Sequence, residues 1–192
     1  MNDTDYIQQG LDLANRKKYE EAIEQYTKAI ELVPDNADAH YGLGSTFYTL
    51  KKYEEAVEQF RKALELRPDN VEAYNGLGSS FCAQKNYEEA KKYYRKAIEL
   101  SPNDAFAHNC LGIVFHMQKQ YEEAIEHYAK ASEISPGYVD PQYNWGQALR
   151  SLEKYREAIE HYAEAIELAP DNAEAHNGWG KALHGQKKYE EA

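Results

Sequence analysis

Cysteine is scarce in this chain: Cys82 and Cys110 are the only two among 192 residues. Two thiols exclude a disulfide-built scaffold, and they fit a reducing, cytoplasmic setting. Long apolar runs are missing too. No stretch approaches the ~18 residues of a membrane-spanning helix, so membrane insertion is not expected. The opening Met1-Asn2-Asp3-Thr4-Asp5 lacks the basic and apolar regions of a secretory leader. Basic charge is in short supply. There are 22 Lys and Arg against 33 Asp and Glu, a net charge of −11. Such a surface is poorly suited to neutralising phosphates, so nucleic acid is not an expected partner. Aromatics are plentiful at 12%, led by 17 tyrosines, which separates the chain from a disordered acidic tail.

What is present recurs. Pro34, Pro68, Pro102, Pro136 and Pro170 stand 34 residues apart. Tyr19, Tyr53, Tyr87, Tyr121, Tyr155 and Tyr189 keep the same step. So do Gly10, Gly44, Gly78, Gly112, Gly146 and Gly180, and likewise Ala22, Ala56, Ala90, Ala124, Ala158 and Ala192. The period divides the chain into five full repeats, 3–36, 37–70, 71–104, 105–138 and 139–172, and a partial sixth over 173–192.

Each repeat reads as two helices. In the second, His40, Leu43, Gly44 and Phe47 form one helical stripe. Tyr53, Ala56, Val57, Phe60, Ala63 and Leu64 form another, after a break at Lys51-Lys52. Pro68-Asp69-Asn70 ends the pair and supplies a cap for the next helix. Glu54-Glu55 near the start of the second helix and Lys62 near its end both suit the helix dipole. A glycine inside a helix costs roughly 1 kcal/mol against alanine. The six in-phase glycines therefore predict close helix–helix approach. Alanines of the second helix would face the same gap, and Tyr26, Phe60, Tyr94, Tyr128 and Tyr162 would fill the space beside it. On this expectation Gly78 does not tolerate a side chain, and Gly76, off the phase, serves as the comparison.

These residues resemble the tetratricopeptide repeat (TPR) family. Leu43-Gly44, Phe47, Tyr53, Ala56, Phe60, Ala63 and Pro68 match its pattern within one repeat, and six copies span essentially the whole chain. Trp145 and Trp179 depart from it by replacing the leucine before the glycine, and Gln9 makes the first repeat atypical. The resemblance implies an all-α, right-handed superhelical solenoid of antiparallel helix pairs, with the first helices lining a concave groove. It implies a non-enzymatic adaptor, needing no cofactor or metal, that binds a protein or peptide segment.

Positions five, nine and twelve of each first helix follow helical spacing and form a stripe separate from the packing stripe. It holds Ile7, Leu11 and Ala14, then Tyr41, Ser45 and Tyr48, then Asn75, Ser79 and Cys82. It continues through Asn109, Ile113 and His116, then Tyr143, Gln147 and Arg150, and ends at Asn177, Lys181 and His184. Few of these are charged in a chain where 29% of residues are, and tyrosine and arginine are enriched at interfaces. The expected groove therefore comprises Tyr41, Ser45, Tyr48, Asn75, Ser79, Asn109, Ile113, His116, Tyr143, Gln147 and Arg150. A rim of Asp38, Glu72, Asp140 and Glu174 favours a ligand carrying basic residues.

Other chemistry finds little support. The chain has no Walker loop, no Gly-x-Ser-x-Gly, no Cys-x-x-Cys and no His-Glu-x-x-His. His40, His108 and His176 share the packing stripe and read as structural. His127 and His161 share a second phase, where facing each other would be the sole route to a metal. The two-carboxylate clamp with which some TPR proteins hold chaperone tails needs Lys, Asn, Asn, Lys and Arg. The corresponding positions of the first three repeats are Ile7, Leu11, Gly42, Glu72 and Gly76. Between the fourth and fifth repeats, Gly137-Tyr138 replaces the usual Asp-Asn, and Asp140-Pro141 reads as N-cap and first helical residue. The chain stops at Tyr189-Glu190-Glu191-Ala192, where a second helix should begin. That ending points to a fragment of a longer protein. Alternatives are the TPR region of a larger enzyme, such as a protein O-glycosyltransferase, and a scaffold self-associating through Trp179 and Leu183.

Overall fold

A computed structural model describes residues 1–190, with side chains as far as Lys187. Among the described residues there are eleven helices and no strand. They form two compact units, Met1–Ser101 and Pro102–Ala192. The first unit holds α1 (Asp3–Asn15), α2 (Tyr19–Leu32), α3 (Ala37–Thr49), α4 (Tyr53–Leu66), α5 (Val71–Ala83) and α6 (Tyr87–Leu100). The second holds α7 (Ala105–Met117), α8 (Tyr121–Ile134), α9 (Val139–Ser151), α10 (Tyr155–Leu168) and α11 (Ala173–Glu190). The fold class is the expected all-α solenoid of helix pairs. No described helix is long and apolar enough to cross a membrane.

Local signals set the helix boundaries. Asn2 and Asp5 form a reciprocal capping box at the start of α1. Asn36, Asn70 and Asp104 accept from backbone N–H groups of α3, α5 and α7. Inside each pair the first helix ends in a left-handed residue: Lys17, Lys51, Lys85, Lys119 and Glu153 have φ of 60–63°. At Lys51 the backbone N–H reaches Tyr48 O at 2.9 Å, and the next N–H reaches Phe47 O at 2.9 Å. This is the Schellman pattern, built without glycine.

Within each unit, each helix packs on the next in sequence, and each first helix also packs on the following first helix. Second helices make no such mutual contact among the described residues. First helices therefore form the closely spaced layer of each unit. Between the layers the aromatic rings are clamped by glycines. A Cβ built on Gly44 would stand 3.0 Å from Phe60 and 3.3 Å from Ala56 O, and one on Gly78 would stand 2.7 Å from Tyr94. The in-phase alanines Ala22, Ala56, Ala90, Ala124 and Ala158 are fully buried, as the period requires.

Four expectations need correction. Gly76 is not a lenient comparison: a Cβ there would meet Phe60 Cζ at 2.5 Å, closer than the Gly78 contact. Gly76 and its counterparts Gly42 and Gly178 press on the ring of the preceding repeat, while the in-phase glycines press on the ring of their own. Gly180 has nothing within 4 Å, unlike its in-phase counterparts. The second helix expected to begin at Tyr189 is not separate, since α11 runs on through Glu190. Finally, α9 starts at Val139 with Tyr138 as its N-cap and no side-chain bond. Asp140 and Pro141 lie one and two residues further in, where the missing proline N–H has no helical partner to lose.

Candidate binding groove

In Met1–Ser101 the stripe of the first two repeats closes around a cleft of about 420 Å³. Ile7, Leu11 and Ala14 come from α1, and Tyr41 and Ser45 from α3. Tyr26, whose ring the glycines hold from behind, supplies part of the floor. Burial, with Tyr41 and Asp12 adding, pushes the Tyr26 phenol up to about 12. Burial and the nearby Glu72 likewise raise Tyr41. Both phenols are therefore neutral hydrogen-bonding tips on apolar rings. Tyr41 leans on Phe60 with ring centroids 5.8 Å apart, and Leu11 is exposed. Tyr48 is 37% exposed and packs on Tyr53 at 5.7 Å.

Asn75 and Ser79, further along the stripe, are buried and half-buried. Asn75 is 8% exposed. Ser79 Oγ and Tyr94 OH form a 2.9 Å hydrogen bond that satisfies the tip of a buried ring. Asp38, expected as a rim charge, is held by Arg67 through two contacts of 2.7 and 3.1 Å. Its negative charge is accordingly offset within the chain, although the pair is exposed and contributes little to stability.

In Pro102–Ala192, Asn109 is 2% exposed and both ends of its amide are engaged. Its Oδ1 accepts from Asn144 at 3.1 Å, and its Nδ2 donates to Tyr138 OH at 3.2 Å. Tyr138 is a residue the sequence reading passed over as a variant cap. Burial, with Asp140 and Cys110 adding, pushes its phenol up to about 12. A tyrosine in place of the repeating Asn was the available signal. Ile113 occupies the position that Ser79 holds in the third repeat, and the buried Tyr128 OH has no hydrogen-bond partner there. His116 meets Tyr121 edge-on at 5.2 Å. Burial first, and then Arg150, lower its basicity. Tyr143 packs on Tyr162 at 6.0 Å, and Gln147, one turn further along α9, is half-buried. The Arg150 charge counteracts the rise that burial imposes on the Tyr143 and Tyr162 phenols.

The histidines of the packing stripe have structural partners. His40 contacts Pro34 O at 3.0 Å and Gln59 Oε1 at 2.8 Å, and His176 contacts Pro170 O at 2.8 Å. His108 contacts Pro102 O at 3.2 Å. His127 turns to His108, Nδ1 to Nδ1 at 3.2 Å, and not to His161. His161 stacks on Trp145 at 3.9 Å and bonds Gln142 at 2.8 Å. No group of three or more metal-ligating side chains occurs among the described residues. Trp179 and Leu183 lie exposed on α11 at 37% and 39%.

Tetratricopeptide repeat family profiles match residues 7–71 and 69–137, and a TPR repeat profile matches 146–187. No curated protein sequence matches the chain. Several solved structures do. YrrB, described as a TPR protein with an unusual peptide-binding site, is 30% identical over 95% of this chain and 90% of its own, with a TM-score of 0.70. The pilF protein of Pseudomonas aeruginosa is 25% identical over 99% and 93%, with a TM-score of 0.82. MamA is 27% identical over 89% and 93%, with a TM-score of 0.74.

Proposed function

The chain belongs to the tetratricopeptide repeat family, and on that premise we propose that it is a non-catalytic interaction module whose first-helix stripe takes up a protein segment. The observation that carries this reading is the cleft of about 420 Å³, where Ile7, Leu11, Tyr41 and Ser45 meet. Apolar walls with phenol and hydroxyl tips suit an extended peptide, which offers apolar side chains and backbone groups at once. The peptide-binding site of the similar YrrB supports the same class of ligand. Tyr48, Ile113, His116, Tyr143, Gln147 and Arg150 supply further contact positions. Asn75, Asn109 and Ser79 hold the floor in shape. Glu72 and Glu174 favour basic residues at the ligand's flanks.

Capture of a protein partner from cell extract on the immobilised chain tests this. Tyr48→Ala and Leu11→Ala should each weaken capture, by about 2 kcal/mol if the side chain is an anchor. Lys62→Ala, on a second helix, should not. Equal capture by all four proteins would remove the groove from the account. Capture lost only on covering Trp179 and Leu183 would place the interaction at α11 and favour the self-associating scaffold.

A further inference from the structure

In unit Pro102–Ala192 the described lysines and arginines are exposed, apart from the half-buried Lys130 and Arg150. Lys130 is paired with Glu133. Arg150 is half-buried on α9 and forms no ion pair among the described residues, in a chain with a net charge of −11. Its Nε is buried without a hydrogen-bond partner. Glu153, three residues on, would lie beside it on a continuing helix. The left-handed turn, φ 60° at Glu153, takes that carboxylate off the helix instead. Glu174 acts on Tyr143 and makes no ion pair with the guanidinium.

What surrounds Arg150 is suited to an anion. Tyr162 from α10 is in hydrogen-bonding reach of Arg150, and His116 from α7 and Tyr143 from α9 feel its charge. Imidazole and phenol groups can each donate a hydrogen bond. Resting on the segment-binding reading above, we infer that Arg150, flanked by His116 and Tyr143, is the receptor for one carboxylate of the bound segment. One guanidinium matches one negative charge, and its planar fork fits a carboxylate through two parallel N–H donors. A doubly charged phosphate would meet the same single cation inside a strongly acidic chain, so the carboxylate is the favoured anion. The group can come from a chain terminus or from an Asp or Glu side chain. The five clamp positions of the chaperone-tail binders play no part here, since Arg150 and His116 occupy position twelve of consecutive repeats.

The test is a nuclear magnetic resonance titration of the isotope-labelled whole chain, following the Arg150 Nε–H and His116 imidazole signals. The probes are sodium acetate, N-acetylglycine as a terminal carboxylate, N-acetylaspartate α-amide as a side-chain carboxylate, sodium phosphate, and sodium chloride at matched ionic strength. Carboxylates should give saturable shifts. Arg150→Gln should weaken them by about tenfold or more, and Arg150→Lys by less, because it keeps the charge and loses the fork. Both variants should keep the native circular dichroism spectrum. Whichever acetylated amino acid saturates first identifies the source. Shifts that persist in Arg150→Gln, that chloride reproduces, that phosphate produces at lower concentration, or that no carboxylate produces would overturn the receptor. A saturable carboxylate shift without any groove-dependent partner would support the receptor and remove the segment-binding reading alone.

Discussion

Phe60 is held from two sides by glycine: Gly44 of its own repeat and Gly76 of the next, where an added Cβ would stand 2.5 Å from Phe60 Cζ. The ring is 2% exposed and has nowhere to retreat. Gly76→Ala should therefore destabilise the protein by about 2 kcal/mol despite the better helix propensity of alanine. Gly180, with nothing within 4 Å, should behave in the opposite way. Gly180→Ala should stabilise by about 0.5–1 kcal/mol. Urea unfolding of the two variants beside the wild type measures both.

The turn within each helix pair holds a lysine or glutamate at positive φ. Lys51→Gly removes the Cβ penalty of the left-handed conformation. It should raise stability by about 0.5–1 kcal/mol after the entropy of the unfolded glycine is counted. Thermal melting checks this, and a loss of stability would mean that the Lys51 side chain contributes more than its backbone costs.

The repeat period made the fold legible, because a 34-residue step fixes helix pairs, ring positions and in-phase glycines together. Features with no in-phase signature were harder to read. Gly76 presses on a ring from the preceding repeat, a relation that a stripe drawn on one helix does not contain. α11 runs through Lys187 without the left-handed residue that the other pairs have at this phase, although its Lys-Lys-Tyr-Glu-Glu sequence matches theirs. At the groove, the stripe places Tyr41 and Ser45 on α3 and Arg150 on α9. It could not reveal that Asn109 is engaged by Asn144 and Tyr138, or Asp38 by Arg67, since those partners lie 29 or more residues away.

Two equivalent tyrosines should respond differently to loss of their hydroxyls. Tyr94 OH bonds Ser79, whereas Tyr128 OH is buried without a hydrogen-bond partner. Tyr94→Phe should cost about 1 kcal/mol, and Tyr128→Phe should be neutral or stabilising. Denaturant midpoints at an unchanged slope would show it.

His161 gives stability a pH dependence of defined sign. Burial lowers its pKa to about 4, so the unfolded chain binds its proton more readily. The contribution is complete above the unfolded value and is lost as pH falls from about 6.5 towards 4. One such proton limits the slope to about 1.4 kcal/mol per pH unit. His161→Gln should flatten the decline between pH 7 and 5.5, read from urea melts at each pH. An unchanged decline would assign it to other groups.

Site-specific photocrosslinking tests the central claim most directly. A photoreactive phenylalanine analogue replaces Tyr48, Ile113 or Tyr143 on the first helices, Lys62 or Glu164 on the second, or Leu183 on α11, and the chain is irradiated in cell extract. The account predicts that the first-helix positions join a common protein partner and the second-helix positions do not. Crosslinks of equal yield from the second helices, or a partner reached only from Leu183, would contradict it.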